Sequence, residues 1–207
     1  MLNILRALNP SDRSTIRTLL QLYRDVDKET KRFVSRSKIH CPHLCGYCCA
    51  TAKVETTSLE LLPLAVYLWS KRKGDFWLKK MHPSRLSKRC MFYKPQPQNL
   101  FQGRCTIYAF RPLICRLFGL TFNKNKVGGY AYGGCKIIKK ESPQALLKIK
   151  TMLKEKPKLR HMTDFSIRLF GLGSALDQKL IPINTAAKEA LEKIGFILEK
   201  QNSQCKI

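Results

Sequence analysis

Acidic side chains are scarce in this chain: fourteen Asp and Glu stand against thirty-nine Lys and Arg in 207 residues, a formal charge of +25. Between Asp75 and Glu141 there is no acidic residue at all, while fourteen lysines and arginines occupy the same stretch. The few carboxylates are spaced like helix-surface charges, so no catalytic acid or base can be named among them. Glu55 and Glu60 are candidates only for supporting neighbouring ligands. Long apolar runs are also missing. The longest, over 59–69, is interrupted by Glu60 and Pro63 and falls well short of the ~20 residues a membrane span requires, so no transmembrane segment is expected. The first residues lack the charged start, sustained apolar run and small-residue cleavage site of a secretory signal, and a cytoplasmic location is expected. No internal repeat, low-complexity tract or second domain is visible. With 44% apolar residues, the chain can build one domain around a true core.

The periodicity is mostly helical. Ile16, Leu19, Leu20, Tyr23, Val26, Phe33 and Val34 recur at three- and four-residue spacing and predict a long amphipathic helix over 12–36, capped by Ser11 or Asp12. Thr57 and Glu60 have capping-box spacing before a second helix over 59–72, with Pro63 in its first turn. Asp75 can cap a short third helix ending before Pro83. From Cys90 to Cys135 short extended pieces alternate with turn residues, which predicts small antiparallel hairpins and one or two helical turns after Arg111-Pro112, ending near Gly119. Further helices are expected over 143–155 and from Asn184 or Thr185 to about Lys200. The fold class is therefore mainly α with small antiparallel β elements (α+β): a single domain over 1–207 with a cysteine-rich metal core at 40–136. The N-terminal helix within 1–38 and the C-terminal helices within 142–202 pack around that core.

What the chain has in abundance is cysteine. Eight of nine lie between positions 41 and 135: Cys41, Cys45, Cys48, Cys49, Cys90, Cys105, Cys115 and Cys135, with Cys205 apart. In a reducing compartment such density points to metal or catalysis more often than to disulfides, although the even count keeps a disulfide framework open. Four thiols within nine residues can be gathered around one cation by a tight loop, and thiolate is the ligand that zinc and iron–sulfur clusters prefer. The surrounding positive charge suits a metal–thiolate centre, because guanidinium groups lower thiol pKa and offset the negative charge of the site. It suits an anionic partner equally, a nucleic acid or an acidic protein. Arg111 and Arg116 are candidates to donate hydrogen bonds to sulfur or to sit in solvent. His40 and His43 either substitute for a cysteine, orient a ligand or meet solvent. Tyr108 and Trp69 read as core residues.

The run Cys41-Pro42-His43-Leu44-Cys45-Gly46-Tyr47-Cys48-Cys49, then Cys90-Met91-Phe92-Tyr93, then Gly103-Arg104-Cys105-Thr106-Ile107-Tyr108, and Arg111-Pro112 before Cys115-Arg116 resembles the YkgJ-type (CxxCxxCC) cysteine-cluster family of zinc- or iron-chelating domains. Three residues separate Cys41 from Cys45, where the family's usual spacing is two. The resemblance implies a metal held by Cys41, Cys45, Cys48, Cys49, Cys90, Cys105, Cys115 and Cys135, as an iron–sulfur cluster or as zinc. Adjacent side chains leave the backbone in divergent directions, so Cys48 and Cys49 are expected to serve two different centres, or one centre and one core position. An apolar and aromatic shell of Phe92, Tyr93, Ile107, Tyr108, Phe110 and Phe118 would favour an iron–sulfur cluster by excluding water, though structural zinc tolerates it. The expected function is metal binding with an electron-transfer or metal-handling role.

Two rival readings remain. A zinc-stapled basic module could bind nucleic acid or an acidic partner, yet no known finger, ribbon or RNA-binding signature is present. Cys41-x3-Cys45-x-Tyr47-Cys48 has the spacing of radical S-adenosylmethionine enzymes, yet the strand and helix alternation of a parallel barrel is missing.

Overall fold

The structure is a computed structural model that describes residues 1–51, 53–82, 88–155, 158–173 and 178–204. Cys205 and Pro83 lie outside these residues. Helix α1 (Leu2–Ala7) leads to Asn9, whose side chain accepts the Asp12 amide and, with Pro10 at the first helical position, starts α2 (Pro10–Ser37) two to three residues ahead of the expected cap. Its buried face is Ile16, Leu19, Leu22, Tyr23, Val26 and Phe33, close to the predicted stripe. Lys38 ends the helix in the left-handed conformation (φ 60°), its amide closing on the Val34 carbonyl.

After the cysteine loop comes β1 (Glu55–Thr56), then a short 3₁₀ turn, Leu59–Leu61, running into α3 (Leu62–Ser70) and α4 (Gly74–Lys80). The capping box is present: the Glu60 amide donates to Thr57 Oγ1 at 3.2 Å and the Thr57 amide to Glu60 Oε2 at 3.4 Å. Asp75 sits inside the first turn of α4, and Lys73 occupies the cap. The predicted hairpins follow as β2 (Tyr93–Gln96) with β3 (Asn99–Cys105), then α5 (Leu113–Leu117), then β4 (Asn123–Lys124) with β5 (Tyr130–Ala131). Helices α6 (Lys136–Glu141), α7 (Pro143–Lys154) and α8 (Met162–Phe170), strand β6 (Ile181–Pro182) and helix α9 (Ile183–Gln204) complete the order, β6 pairing antiparallel with β1. The chain is 57% helical with small antiparallel strand pairs, as expected for a mainly α chain with small β elements.

The apolar residues form two clusters. The larger joins the first half of α2 to α3, α5, α8 and α9, and takes in Cys90, Phe92 and Ile107; the smaller holds Phe33, Ile39, Phe122, Cys135, Ile138, Ile149 and Leu153. Small side chains on α9, Ala186, Ala187 and Ala190, are buried in the larger cluster, where α9 lies against α3. There the Trp69 indole donates to the Leu191 carbonyl at 3.0 Å. Helix α2 is the element common to both clusters.

Candidate metal centre

The cysteine loop is laid along the outer edge of the β2–β3 hairpin. The Gly46 amide donates to the Phe101 carbonyl at 2.7 Å, the Gly103 amide to the Leu44 carbonyl at 2.8 Å, and Cys45 bridges antiparallel to Gln102. Neither glycine has room for a side chain, Gly46 facing the Tyr93 ring and Gly103 the backbone of β2. A Cβ on Gly103 would stand 2.3 Å from the Lys94 carbonyl oxygen, and one on Gly46 would run into the Tyr93 hydroxyl. The chain then turns back, with the Cys49 and Ala50 amides both donating to the Gly46 carbonyl at 2.8 Å.

That turn brings the vicinal sulfurs together. Cys48 Sγ and Cys49 Sγ lie 3.9 Å apart, which corrects the expectation of divergence: alternation of side chains holds for extended strands, and residues 46–50 are a tight turn. The Cys90 amide donates to the Cys49 carbonyl at 3.1 Å, fixing the start of the hairpin against the pair. In the register of β2 and β3, Cys105 stands opposite Tyr93. Cys115 lies in the first turns of α5, its amide donating to Pro112.

Cys48, Cys49, Cys90 and Cys115 line one cavity of about 460 Å³, with Val54, Ile114, Phe118, Leu180 and Ile183 as apolar walls and Lys53 and Glu55 also at its edge. Cys105 is near enough for its charge to act on Cys90 and Cys115. Cys41, Cys45 and Cys135 form a second grouping. Of its neighbours, the Cys41 thiol feels Cys45 most, then the charge of Cys48 and, more weakly, that of Cys135, so the two groupings adjoin; Cys135 caps α6 within the smaller cluster. All eight are free thiols, so the disulfide alternative does not apply to them. Among the described residues, no three His, Cys, Asp or Glu side chains are set closely enough to hold a metal ion as they stand. The thiols share a cavity wall and do not yet share a coordination point.

Burial is the first cause of the raised thiol pKa at Cys90, pushed up to about 11, and at Cys41, pushed up to about 12. It also raises Cys105 and Cys115. Cys48 alone goes down, to about 7, because it accepts a hydrogen bond from Cys49, with the Arg111 charge helping; Cys49 keeps the proton and is raised. The neutral thiols suit a low-dielectric wall, and a soft cation would displace their protons on binding.

Arginine serves the scaffold. Arg116 is buried, donating to Asp27 Oδ2 at 2.6 Å, to the Arg111 carbonyl at 2.7 Å and to the Ala109 carbonyl at 2.6 Å, with its guanidinium 4.4 Å from the Tyr23 ring centroid. None of these contacts is to sulfur. Arg111 donates to the Tyr108 and Cys115 carbonyls and stacks 3.5 Å above the Tyr108 ring. Its charge helps to lower the Cys48 thiol and only partly opposes the burial that raises Cys105 and Cys115. Tyr108 is therefore 65% exposed and is no core residue, because the 3₁₀ turn Tyr108–Phe110 faces it outward. Phe118 is also exposed, while Phe92, Tyr93 and Ile107 are buried as expected of a shell. His40 and His43 are exposed.

Glu60 has a larger part than its sequence position suggested. It is buried, accepts from Thr56 Oγ1 at 2.5 Å, and takes the Leu113 amide at 2.6 Å on Oε1. It thereby caps the helix that carries Cys115 from 53 residues away. Burial raises its carboxyl pKa against these donors. Asp27 and Tyr23, which complete this support, carried no sequence signal beyond their place on the α2 face.

No curated protein and no solved structure matches the chain. Residues 40–136, the segment that carries the eight free thiols, match the family model CxxCxxCC, described as "Putative zinc- or iron-chelating domain".

Proposed function

We propose that the chain is a metal–thiolate protein whose principal centre is held by Cys48, Cys49, Cys90 and Cys115, with Cys105 beside it, and whose second centre draws on Cys41, Cys45 and Cys135. The reading is carried by one observation: four thiols from three separated stretches of chain line a single apolar-walled cavity. The donor set fits a soft cation, since four thiols line the cavity and Glu55 is the one carboxylate among its described lining residues.

The vicinal distance narrows the chemistry. Thiolates about 2.3 Å from a tetrahedral metal stand about 3.8 Å from one another, and Cys48 and Cys49 are 3.9 Å apart. Both therefore suit one metal atom: a zinc, a single iron, or one iron of a [2Fe–2S] cluster, in which four cysteines serve two irons. A [4Fe–4S] cluster takes one cysteine per iron and would separate the pair. Bound metal would supply a structural staple or, as iron, a one-electron couple; Arg111 offsets the thiolate charge, and the apolar wall limits water.

Anaerobic purification with metal and sulfide analysis and an absorption spectrum tests this. Zinc in a colourless protein, or iron of rubredoxin or two-iron type, is the expected result, lost equally in Cys48→Ser and Cys49→Ser and retained in Cys205→Ser. A four-iron cluster, no metal, or undiminished metal content without either vicinal thiol would overturn it.

A further inference from the structure

On the side of the molecule formed by the smaller cluster, a groove of about 670 Å³ runs between α7 and the β4–β5 hairpin. Its floor is apolar and aromatic: Ile149, Leu153, Leu146, Tyr130 and Tyr132. Lys139 on α6 and Lys150 and Lys154 on α7 also line it, and no carboxylate does. The geometry points to a second binding site here, for a small anionic ligand with an apolar body.

Three observations support that chemistry. The volume lies within the range of about 300–1,000 Å³ usual for small-molecule sites, and an apolar floor with a few convergent polar groups is their common make-up. Lys150 and Lys154 stand at i and i+4 on one helix, an arrangement of like charges that weakens a helix by about 0.2–0.5 kcal/mol unless an anion lies between them. All three lysines are exposed and have no ion-pair partner among the described residues. Helix ends favour cations at Lys139 and Lys154, but they explain neither Lys150 nor the absence of a carboxylate. The Tyr130 ring is held edge-on against Phe122 at 5.3 Å, and its hydroxyl has no hydrogen-bond partner among the described residues, leaving it to meet a polar atom of the ligand.

The shared chemistry, one anionic head on an apolar body, can come from an acyl chain or from a flat aromatic ring. The test uses the full chain with the fluorescent anion 8-anilinonaphthalene-1-sulfonate, followed by competition with decanoate and with adenosine monophosphate. The wild type is expected to bind the dye, and Lys150→Glu/Lys154→Glu to bind it about tenfold more weakly or worse. The matched pair Lys71→Glu/Lys79→Glu, exposed and outside the groove, should bind as the wild type does, with far-UV circular dichroism showing each variant folded. Displacement by decanoate identifies an acyl body, and displacement by adenosine monophosphate an aromatic one. Equal affinity in the groove variant and the wild type, or displacement by neither competitor, overturns the proposal.

Discussion

Cys48 and Arg116 show how far a single residue's surroundings decide its role. The thiol falls to about 7 because its neighbour in the chain turns a proton toward it, which only a tight turn permits. Arg116, in a motif that suggested contact with sulfur, instead spends every arm of its guanidinium on two carbonyls and Asp27. Its side chain is 3% exposed, against 45% for Asp27. Removing it costs three charge-assisted hydrogen bonds made by one buried side chain, so Arg116→Met is expected to destabilise by about 2–4 kcal/mol and Asp27→Asn by about 1 kcal/mol. Urea midpoints read both; equal losses would mean that the ion pair, and not the carbonyl contacts, dominates. Neither Tyr108 nor the vicinal turn was legible from the sequence. Both depend on a local departure from regular geometry that spacing rules do not register.

At the scale of elements, the long periodic stretches were the readable ones. The α2 stripe, the Thr57 and Glu60 box and the glycine-flanked β4–β5 hairpin stand close to where the pattern puts them. Helices α1, α6 and α8 were missed, being six, six and nine residues long, too short for a 3.6-residue period to stand out. The pairing of β1 with β6 joins residues far apart in the chain and has no local signal. The element that matters most to the thiols is the edge between the cysteine loop and β3. Gly103→Ala drives a methyl into backbone, which cannot swing aside, whereas Gly46→Ala meets a tyrosine tip that can. The expected losses are about 3 kcal/mol or more for Gly103→Ala and about 1–2 kcal/mol for Gly46→Ala. Metal content should fall with stability in the first. A Gly103→Ala protein as stable as the wild type would show that the close pairing of β3 with Lys94 and Pro95 does not need a bare Cα at this position.

For the whole molecule, the balance lies between apolar packing and the thiol centre. The larger cluster draws on most helices and buries Phe92, Phe165, Ile16 and Leu61 almost completely, so helical structure does not depend on a bound ion. Chelation under reducing conditions is expected to lower the thermal midpoint by roughly 10 °C, the size of a ligand present at about a thousand times its dissociation constant, while the far-UV signal at room temperature stays. Collapse of that signal on chelation would place the folding energy in the metal. The two-cluster arrangement was not visible in the sequence, because it arises from the way α2 and the segment 119–153 meet. The grouping of eight cysteines in one stretch was visible.

The bond from the Cys90 amide to the Cys49 carbonyl has a kinetic corollary. It and the Glu60 bond to Leu113 tie the thiol-bearing strands together through ordinary polar links. The remote loops are already gathered before an ion arrives, and what is left is a local closing of the thiols from their shared cavity wall. Uptake should then proceed at the pace of proton loss from the sulfurs, quickening with alkalinity, with no slow phase from chain rearrangement.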